Sequence, residues 1–416
     1  MASDLFFYEG ADGYCEYYKT SQGGISFQRQ GTIPPAGWTH VVQGQFAGAG
    51  LCQFVLYNSV SGTIQVWMVG TSPDGYGHTY LLHETPNWRP GFKLLIPGSF
   101  AFTSGTSLVG LPELLCYDAT AGVGEFYYIG EQGMTLAYRY TGWRTSWNII
   151  VAGNFGGDAV SDLLFYDAAG NTGEFYEVDN FRINRLVTHI DWRSSWKLIV
   201  PGSFGGNGFT DLLFYDPAGA TGEFYAVNQG QISLLHSYTD WRGSWDEIVP
   251  GDFGGNSLTD LLFYDRAGGT GEFYAVNNGG ISLLRSNIGW RASWTNILAG
   301  TYTGTSGGSQ PVPFVTAAVE PFDPGSDFRM LHIFGSNFQN NEAVTLKITI
   351  QDGSATPEVV TETAQADPSG NLEFKYSGSG GGVCNPTNFP PRQFRVQGTG
   401  VTSHRVSNVA VTGCPG

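Results

Sequence analysis

An all-β fold, a six-bladed β-propeller followed by a small β-sandwich, is the class this 416-residue chain predicts, with a seven-bladed ring as the alternative. Three observations predict it: a 49-residue repeat, a four-strand reading of each repeat, and a strand count that is out of step at the two ends. The repeat is explicit in SDLLFYDAAGNTGEFYEV at 161–178, TDLLFYDPAGATGEFYAV at 210–227 and TDLLFYDRAGGTGEFYAV at 259–276. Tyr166, Tyr215 and Tyr264 stand 49 residues apart, as do Trp147, Trp196, Trp245 and Trp294. Weaker copies place Tyr117 49 residues before Tyr166 and Tyr8 49 before Tyr57, with one longer step of 60 from Tyr57 to Tyr117. A fixed period of this size marks a repeat architecture.

Within residues 147–196, NIIVAGNF, DLLFYD, GEFYEV and INRLVTHI are short runs rich in Val, Ile, Phe and Tyr, separated by turns of Gly, Asn and Asp. Such runs read as strands, and no window carries the apolar spacing of a helix. Four strands in about 40–50 residues is the size of a propeller blade. The DLLFYD-type strand occurs at 4–9, 53–58, 113–118, 162–167, 211–216 and 260–265, and the aromatic opening the first strand at Trp38, Phe92, Trp147, Trp196, Trp245 and Trp294. The chain thus begins at a second strand and closes its repeats on a first strand, TNILAGTY at 295–302. That offset predicts ring closure of 295–302 onto the blade of residues 3–37, leaving no open sheet edge.

The expected domains are the propeller at 1–302, a linker at 303–319 and a β-sandwich at 320–416. The linker is small, polar and Gly-rich before an apolar tail, and alternating runs such as AVTLKITI and RQFRVQG follow it. A net charge of −16 argues against nucleic-acid and anionic-membrane partners, which reward clustered Lys and Arg. No apolar stretch approaches the roughly 20 residues that span a bilayer. Met1-Ala2-Ser3 runs straight into a strand with no secretory leader, so an extracellular or cell-surface place would rest on a removed leader or another export route. Of five cysteines, Cys384 and Cys414 share the C-terminal domain and are expected to form a disulfide; Cys116 replaces a phenylalanine and reads as buried filler.

A second recurrence bridges each blade to the next: WRTSW at 143–147, WRSSW at 192–196, WRGSW at 241–245 and WRASW at 290–294. In a four-stranded meander this corner and the turn between strands two and three emerge on one face. The expected sugar-binding set is therefore Trp143, Arg144, Trp147, Trp192, Arg193, Trp196, Trp241, Arg242, Trp245, Trp290, Arg291 and Trp294, with Asp167, Asp216, Asp265, Glu174, Glu223 and Glu272. A sugar's C–H face stacks on Trp, and its hydroxyls take bonds from guanidinium and give them to carboxylate. The competing reading is that these tryptophans fill the wedge between sheets and the arginines latch to nearby carboxylates. The LLFYD tyrosine and the GEFY aromatics are expected in the core. The corners WRPGF at 88–92 and PPAGW at 34–38 are incomplete, so about four grooves are expected to bind.

No cofactor is expected. GDFGGNSLTD at 251–260 and GNFGGDAVSD at 153–162 resemble the calcium loops of integrin-type propeller repeats, but the third ligand position is always Gly. Weak calcium binding at Asp252 with Asp260, or Asp158 with Asp162, stays open. The histidines form no metal spacing, and no G-x-S-x-G, H-E-x-x-H or phosphate loop occurs. Because catalysis usually breaks a repeat at one site, the near-identity of the later blades predicts binding and no enzyme.

WRSSWKLIVPGSFGGNGFTDLLFYDPAGATGEFY and its neighbours resemble the bacterial β-propeller lectins with 49-residue repeats, over about residues 1–302. That resemblance implies multivalent binding of fucose or a related sugar in grooves between blades, glycans or glycoconjugates as partners, and homo-oligomers; those lectins have seven blades where six are counted here. GSNFQNNEAVTLKI, ADPSGNLEF and FPPRQFRVQG resemble bacterial immunoglobulin-like domains of the IPT type, which implies a spacer or dimerisation surface. The rival expectation is a structural or adhesive extracellular module that displays the C-terminal domain or self-assembles without binding sugar.

Overall fold

The computed structural model describes the whole chain except residues 1–2, 34–36, 45, 47–52, 72–76, 102–112, 131–132, 158–159, 207, 256–257, 301, 303–313, 322–328, 337, 339–340, 353–356, 368–370, 379–382, 385–391, 402–405 and 415–416. It divides into two compact units, Met1–Ala47 with Leu51–Gly304, and Gly48–Gly50 with Thr305–Gly416.

The first unit is an all-β propeller. Among the described residues it holds six four-stranded antiparallel sheets. Their innermost strands, His40–Gly44, Leu94–Gly98, Ile149–Gly153, Leu198–Gly202, Glu247–Gly251 and Asn296–Gly300, follow one another around a ring. The first and last strands of the repeat region close that ring. Asn296–Gly300 pairs antiparallel with Asp4–Tyr8, setting Leu5 opposite Ala299 and Phe6 opposite Leu298. The out-of-step strand count is the sequence trace of this pairing.

Each second strand is buried along its whole length, which is why it reads as an unbroken apolar run. Its pleat sends alternate residues into different wedges. Leu163 and Phe165 pack with Tyr117, Phe126 and Trp147 of the preceding wedge. Leu164 and Tyr166 pack with Trp196, Leu212 and Phe214 of the next. Every sheet is therefore glued to both neighbours by one strand, and each Leu or Phe so buried contributes roughly 1.5–3 kcal/mol. The outermost strands, such as Arg182–His189 and Gln231–Tyr238, alternate half-buried and exposed residues, as an edge against water requires.

One irregularity recurs in every sheet. The pairing of the third and fourth strands shifts register between Phe175 and Tyr176, and at the equivalent Phe224/Tyr225, Phe273/Tyr274, Phe126/Tyr127, Tyr17/Tyr18 and Val66/Trp67. A bulge re-aims a side chain locally. Here it falls beside the aromatic residue that lines the groove described below.

The second unit contains a three-stranded and a four-stranded antiparallel sheet. Its core includes Val315, Leu331, Ile333, Leu346, Ile348 and Phe394. The strand Phe314–Pro321 belongs to it, pairing with Arg329–Ser336, so the expected boundary at 320 is corrected: the apolar tail of the supposed linker is the first strand of this unit. Residues 303–313 lie outside the described residues. Cys384 and Cys414 are disulfide-bonded across a separation of 30 residues, and Cys15 and Cys116 are buried free thiols.

Candidate functional site

The groove is assembled where a corner meets the next sheet. Tyr117, buried at the end of its strand, donates its hydroxyl to the carbonyl of Arg144 at 2.6 Å. Tyr166, Tyr215 and Tyr264 do the same for Arg193, Arg242 and Arg291, at 2.5, 2.6 and 2.5 Å. The LLFYD tyrosine is thus a core residue, as expected, that also pins the backbone of the groove arginine.

The arginine side chain is then held on two sides. Its guanidinium lies over the ring of the second corner tryptophan, 4.8 Å from the centroid for Arg144 and Trp147, 4.8 Å for Arg193 and Trp196, and 4.7 Å for Arg242 and Trp245. It is also bonded to a carboxylate thirty residues on: Arg144 to Glu174, Arg242 to Glu272, and Arg193 to Glu223 at 2.5 Å. The far oxygen of each glutamate accepts the hydroxyl of the tyrosine two residues later, Tyr176, Tyr225 or Tyr274, at 2.6, 2.6 and 2.7 Å. Burial, reinforced by the bond to Glu174, pushes the Tyr176 hydroxyl up to about 12, so it stays a neutral donor. The glutamates are nearly fully buried, whereas about half of each arginine side chain is exposed. Stacking and ion pair fix the guanidinium, Nη1 of Arg144 and Arg193 donates further to Thr172 and Thr221 at 3.3 and 3.0 Å, and the exposed remainder lines the groove.

Two expectations are corrected here. Trp147, Trp196, Trp245 and Trp294 are buried wedge residues, and an arginine already covers the ring face, so none is a stacking platform for a ligand. Asp167, Asp216 and Asp265 are buried turn caps. Asp167 accepts Ser146 Oγ at 2.7 Å and the amide of Gly170 at 2.9 Å; Asp216 and Asp265 repeat this with Ser195 and Ser244 at 2.6 and 2.8 Å. Their carboxylates hold the fold, and Asp167 Oδ2 also lies 3.9 Å from Arg144 Nη1. Glu174, Glu223 and Glu272 do face the groove, but as holders of the arginine.

Both corner tryptophans line the groove, and the first is the less buried of the two. Trp143, Trp192 and Trp241 are half-buried and line cavities of about 230, 300 and 180 Å³. Each ring rests on a glycine backbone, where a Cβ on Gly124, Gly173 or Gly222 would come within 2.3, 2.2 or 2.3 Å of ring carbons. The ring meets the second-strand phenylalanine edge-on, Trp192 with Phe214 at 5.1 Å for example, and Tyr140, His189 or Tyr238 stacks on it. Phe165, Tyr176 and Ile183 complete the apolar lining of the first cavity. Volumes at or below the lower end of the roughly 300–1,000 Å³ of drug-sized pockets suit one small ring.

Other corners vary this plan. At Trp290, Arg291 reaches Glu16 at 3.5 Å and stacks on Tyr14 at 4.6 Å, while Tyr14 takes one oxygen of Glu16 at 2.6 Å. At the incomplete corner 88–92 the unit is nonetheless present, Arg89 bonding Glu125 and stacking 4.7 Å from Phe92, with Tyr127 on the far oxygen. So five arginine–glutamate–tyrosine units occur among the described residues, one more than the corner motif suggested. In the remaining sheet Gln65 and Trp67 replace the pair, Trp67 Nε1 donating to Gln65 Oε1 at 2.8 Å. That repeat has Pro35 where the arginine would stand, a residue outside those described.

The groove tyrosines were missed by the sequence reading, which put all GEFY aromatics in the core. Phe175 is core, but the bulge and the bond to Glu174 turn Tyr176 to the groove. The recurring Glu-x-Tyr spacing was the available signal.

The calcium-like loops use their final aspartate differently. Asp260 accepts the amides of Phe253 at 2.9 Å and Val276 at 3.2 Å as well as Gly254. Asp162 does likewise with Phe155 at 2.8 Å and Val178 at 3.0 Å, and Asp252 accepts Gly255 at 2.7 Å. These carboxylates close loops. Asp158 lies outside the described residues.

No family model and no curated protein matches the chain. Among solved structures it is similar to a candidate 6-phosphogluconolactonase from Bacteroides fragilis, 9% identical over 90% of this chain and 98% of that one, TM-score 0.42. A second candidate 6-phosphogluconolactonase, from Bacteroides uniformis, is 12% identical over 90% and 99%, TM-score 0.43. A protein from Lactobacillus plantarum is 11% identical over 90% and 100%, TM-score 0.42. The expectation of no enzyme is corrected on this finding, because two of these structures bear an enzyme's name. At these identities and scores they lend this chain no activity.

Proposed function

We propose that this protein is a multivalent carbohydrate-binding protein, a lectin, that takes fucose or a related monosaccharide in grooves between adjacent sheets. The observation that carries the reading is the recurrence of one preorganised set, a half-exposed arginine fixed by Trp196, Glu223 and Tyr166 beside a half-buried tryptophan, in cavity after cavity. A guanidinium offers paired donors to vicinal hydroxyls, and the apolar lining takes a sugar's C–H face. Each site on its own binds weakly, in the millimolar to micromolar range, and a surface that engages several at once gains by avidity. Partners would be glycans or glycoconjugates at or outside a cell surface.

A glycan array followed by calorimetry with L-fucose tests this. Binding at more than one site per chain is the expected result, and no binding to any sugar overturns the reading. A second reading rests on exposed apolar residues of the outermost strands, Leu136, Leu234 and Leu283. It makes the ring a self-associating display module, and self-association in sedimentation without sugar binding would favour it.

A further inference from the structure

The three cavities share their arginine, glutamate, tyrosine and tryptophan, yet differ at two lining positions. The first is opposite the groove aromatic on the outermost strand. There Leu234 faces Tyr225, Leu283 faces Tyr274, Leu136 faces Tyr127, Phe27 faces Tyr18 and Leu81 faces Trp67. Only at Tyr176 is the opposite residue charged: Arg185, which lines the Trp143 cavity. The second position precedes the corner tryptophan, where the other cavities carry Asp191 and Asp240 and this one carries Gly142.

Both changes move the lining charge in one direction. The Trp192 cavity has Arg193 against Glu223 and Asp191, and the Trp241 cavity has Arg242 against Glu272 and Asp240. Among its lining residues the Trp143 cavity has Arg144 and Arg185 against Glu174, with the turn cap Asp167 behind the lining at 3.9 Å from Arg144, as Asp216 and Asp265 cap the equivalent turns of the other two. That glutamate is already held by Arg144 and Tyr176, so it does not neutralise Arg185. Glu177, next along the strand, pairs with Asn184 and points to the opposite face. A cleft with one cation in excess and low-dielectric walls attracts anions, and a guanidinium is shaped to take a carboxylate or sulfate by two parallel bonds.

We propose that the Trp143 cavity is specialised for an anionic monosaccharide, a sugar carrying a carboxylate or a sulfate, while the Trp192 and Trp241 cavities take neutral sugars. This rests on the lectin reading above and adds a division of labour among near-identical sites. Two guanidiniums, Arg144 and Arg185, would bracket the ligand, one on its hydroxyls and one on its charge.

Calorimetry of the full chain with methyl β-D-glucuronide, inorganic sulfate and L-fucose tests it, on the wild type, Arg185→Leu and the double variant Asp191→Gly/Leu234→Arg. Arg185→Leu installs the residue found in the sister grooves at an exposed strand position, so folding is not at stake. The glucuronide should fill one site, lose about tenfold in affinity in Arg185→Leu, weaken with added salt, and gain a second site in the double variant. L-Fucose at the other sites should be unchanged. Unaltered glucuronide affinity in Arg185→Leu, or sulfate alone binding as tightly as the glucuronide, overturns the inference and leaves the lectin reading standing. If neither sugar binds at all, both fall together.

Discussion

Arg193 and Glu223, thirty residues apart in the chain, meet at 2.5 Å while the same guanidinium lies 4.8 Å over Trp196. One residue thereby joins a corner, a buried wedge and the neighbouring strand, and the 49-residue period repeats the arrangement around the ring. The two contacts have different energetic meaning. Trp196 is buried among Val151, Leu164 and Phe214, whereas Arg193 is half exposed and its ion pair is softened by water.

Trp196→Ala should therefore cost about 3–5 kcal/mol of unfolding free energy. Arg193→Ala, which leaves the buried Glu223 with Tyr225 as its remaining partner, should cost less, about 1–3 kcal/mol, and remove one sugar site. Denaturant melts of both variants beside their sugar titrations check the split. Equal losses of stability would mean that the arginine is a structural latch.

Gly222 has a narrower task. A Cβ there would lie 2.3 Å from Trp241 Cζ3, so Gly222→Ala must displace the ring from the backbone it rests on. The expected cost is about 1–3 kcal/mol, with loss of the site beside Trp241 only. A variant with wild-type stability and wild-type binding would show that the ring is free to move.

The sequence carried the fold further than the site. Repeats at Tyr166, Tyr215 and Tyr264, and the strand offset between Asp4–Tyr8 and Asn296–Gly300, are direct consequences of periodicity and closure, and both can be counted. Three of the four complete corner motifs line a cavity. What the motif could not assign was side-chain duty. Trp143 and Trp147 look alike in the sequence and both line the cavity, but Trp143 is half-buried while Trp147 is buried with Arg144 over its ring. Asp167 and Glu174 are both carboxylates near a turn, and only backbone geometry makes one a turn cap. Tyr176 was hidden because a bulge breaks the period-2 rule at that residue. The boundary at 320 failed because an apolar run after a polar stretch carries no mark of which unit its strand will join.

Stability should depend on pH through two glutamates, the buried Glu113 and the half-buried Glu247. Burial raises Glu113 and Glu247 from 4.5 to about 7, so in each the folded state favours the proton. Their contribution is fully present below the unfolded value and is lost as pH rises through about 7. Glu113→Gln, which retains an acceptor for the amide of Phe100 at 2.6 Å, should flatten the fall in stability between about pH 5 and 7 by an amount on the order of 2 kcal/mol. Melting temperatures across that range check it, and an unchanged slope would assign the titration elsewhere.

The disulfide between Cys384 and Cys414 lies wholly within the second unit. Reduction should lower that unit's stability by roughly 3–4 kcal/mol on loop-entropy grounds and leave the propeller's unfolding where it was. Two calorimetric transitions, of which only one moves with reductant, is the expected record.

The most direct measurement of the central claim is the number of L-fucose molecules that native mass spectrometry finds on the chain, before and after the triple substitution Arg144→Ala, Arg193→Ala and Arg242→Ala. If the guanidiniums held by Glu223 and Glu272 are the contacts of the neutral sugar, the triple variant should retain its fold and bind two fewer L-fucose molecules, those beside Trp192 and Trp241, while Arg144→Ala empties the anionic site beside Trp143. The same number of sugars on both proteins would contradict it.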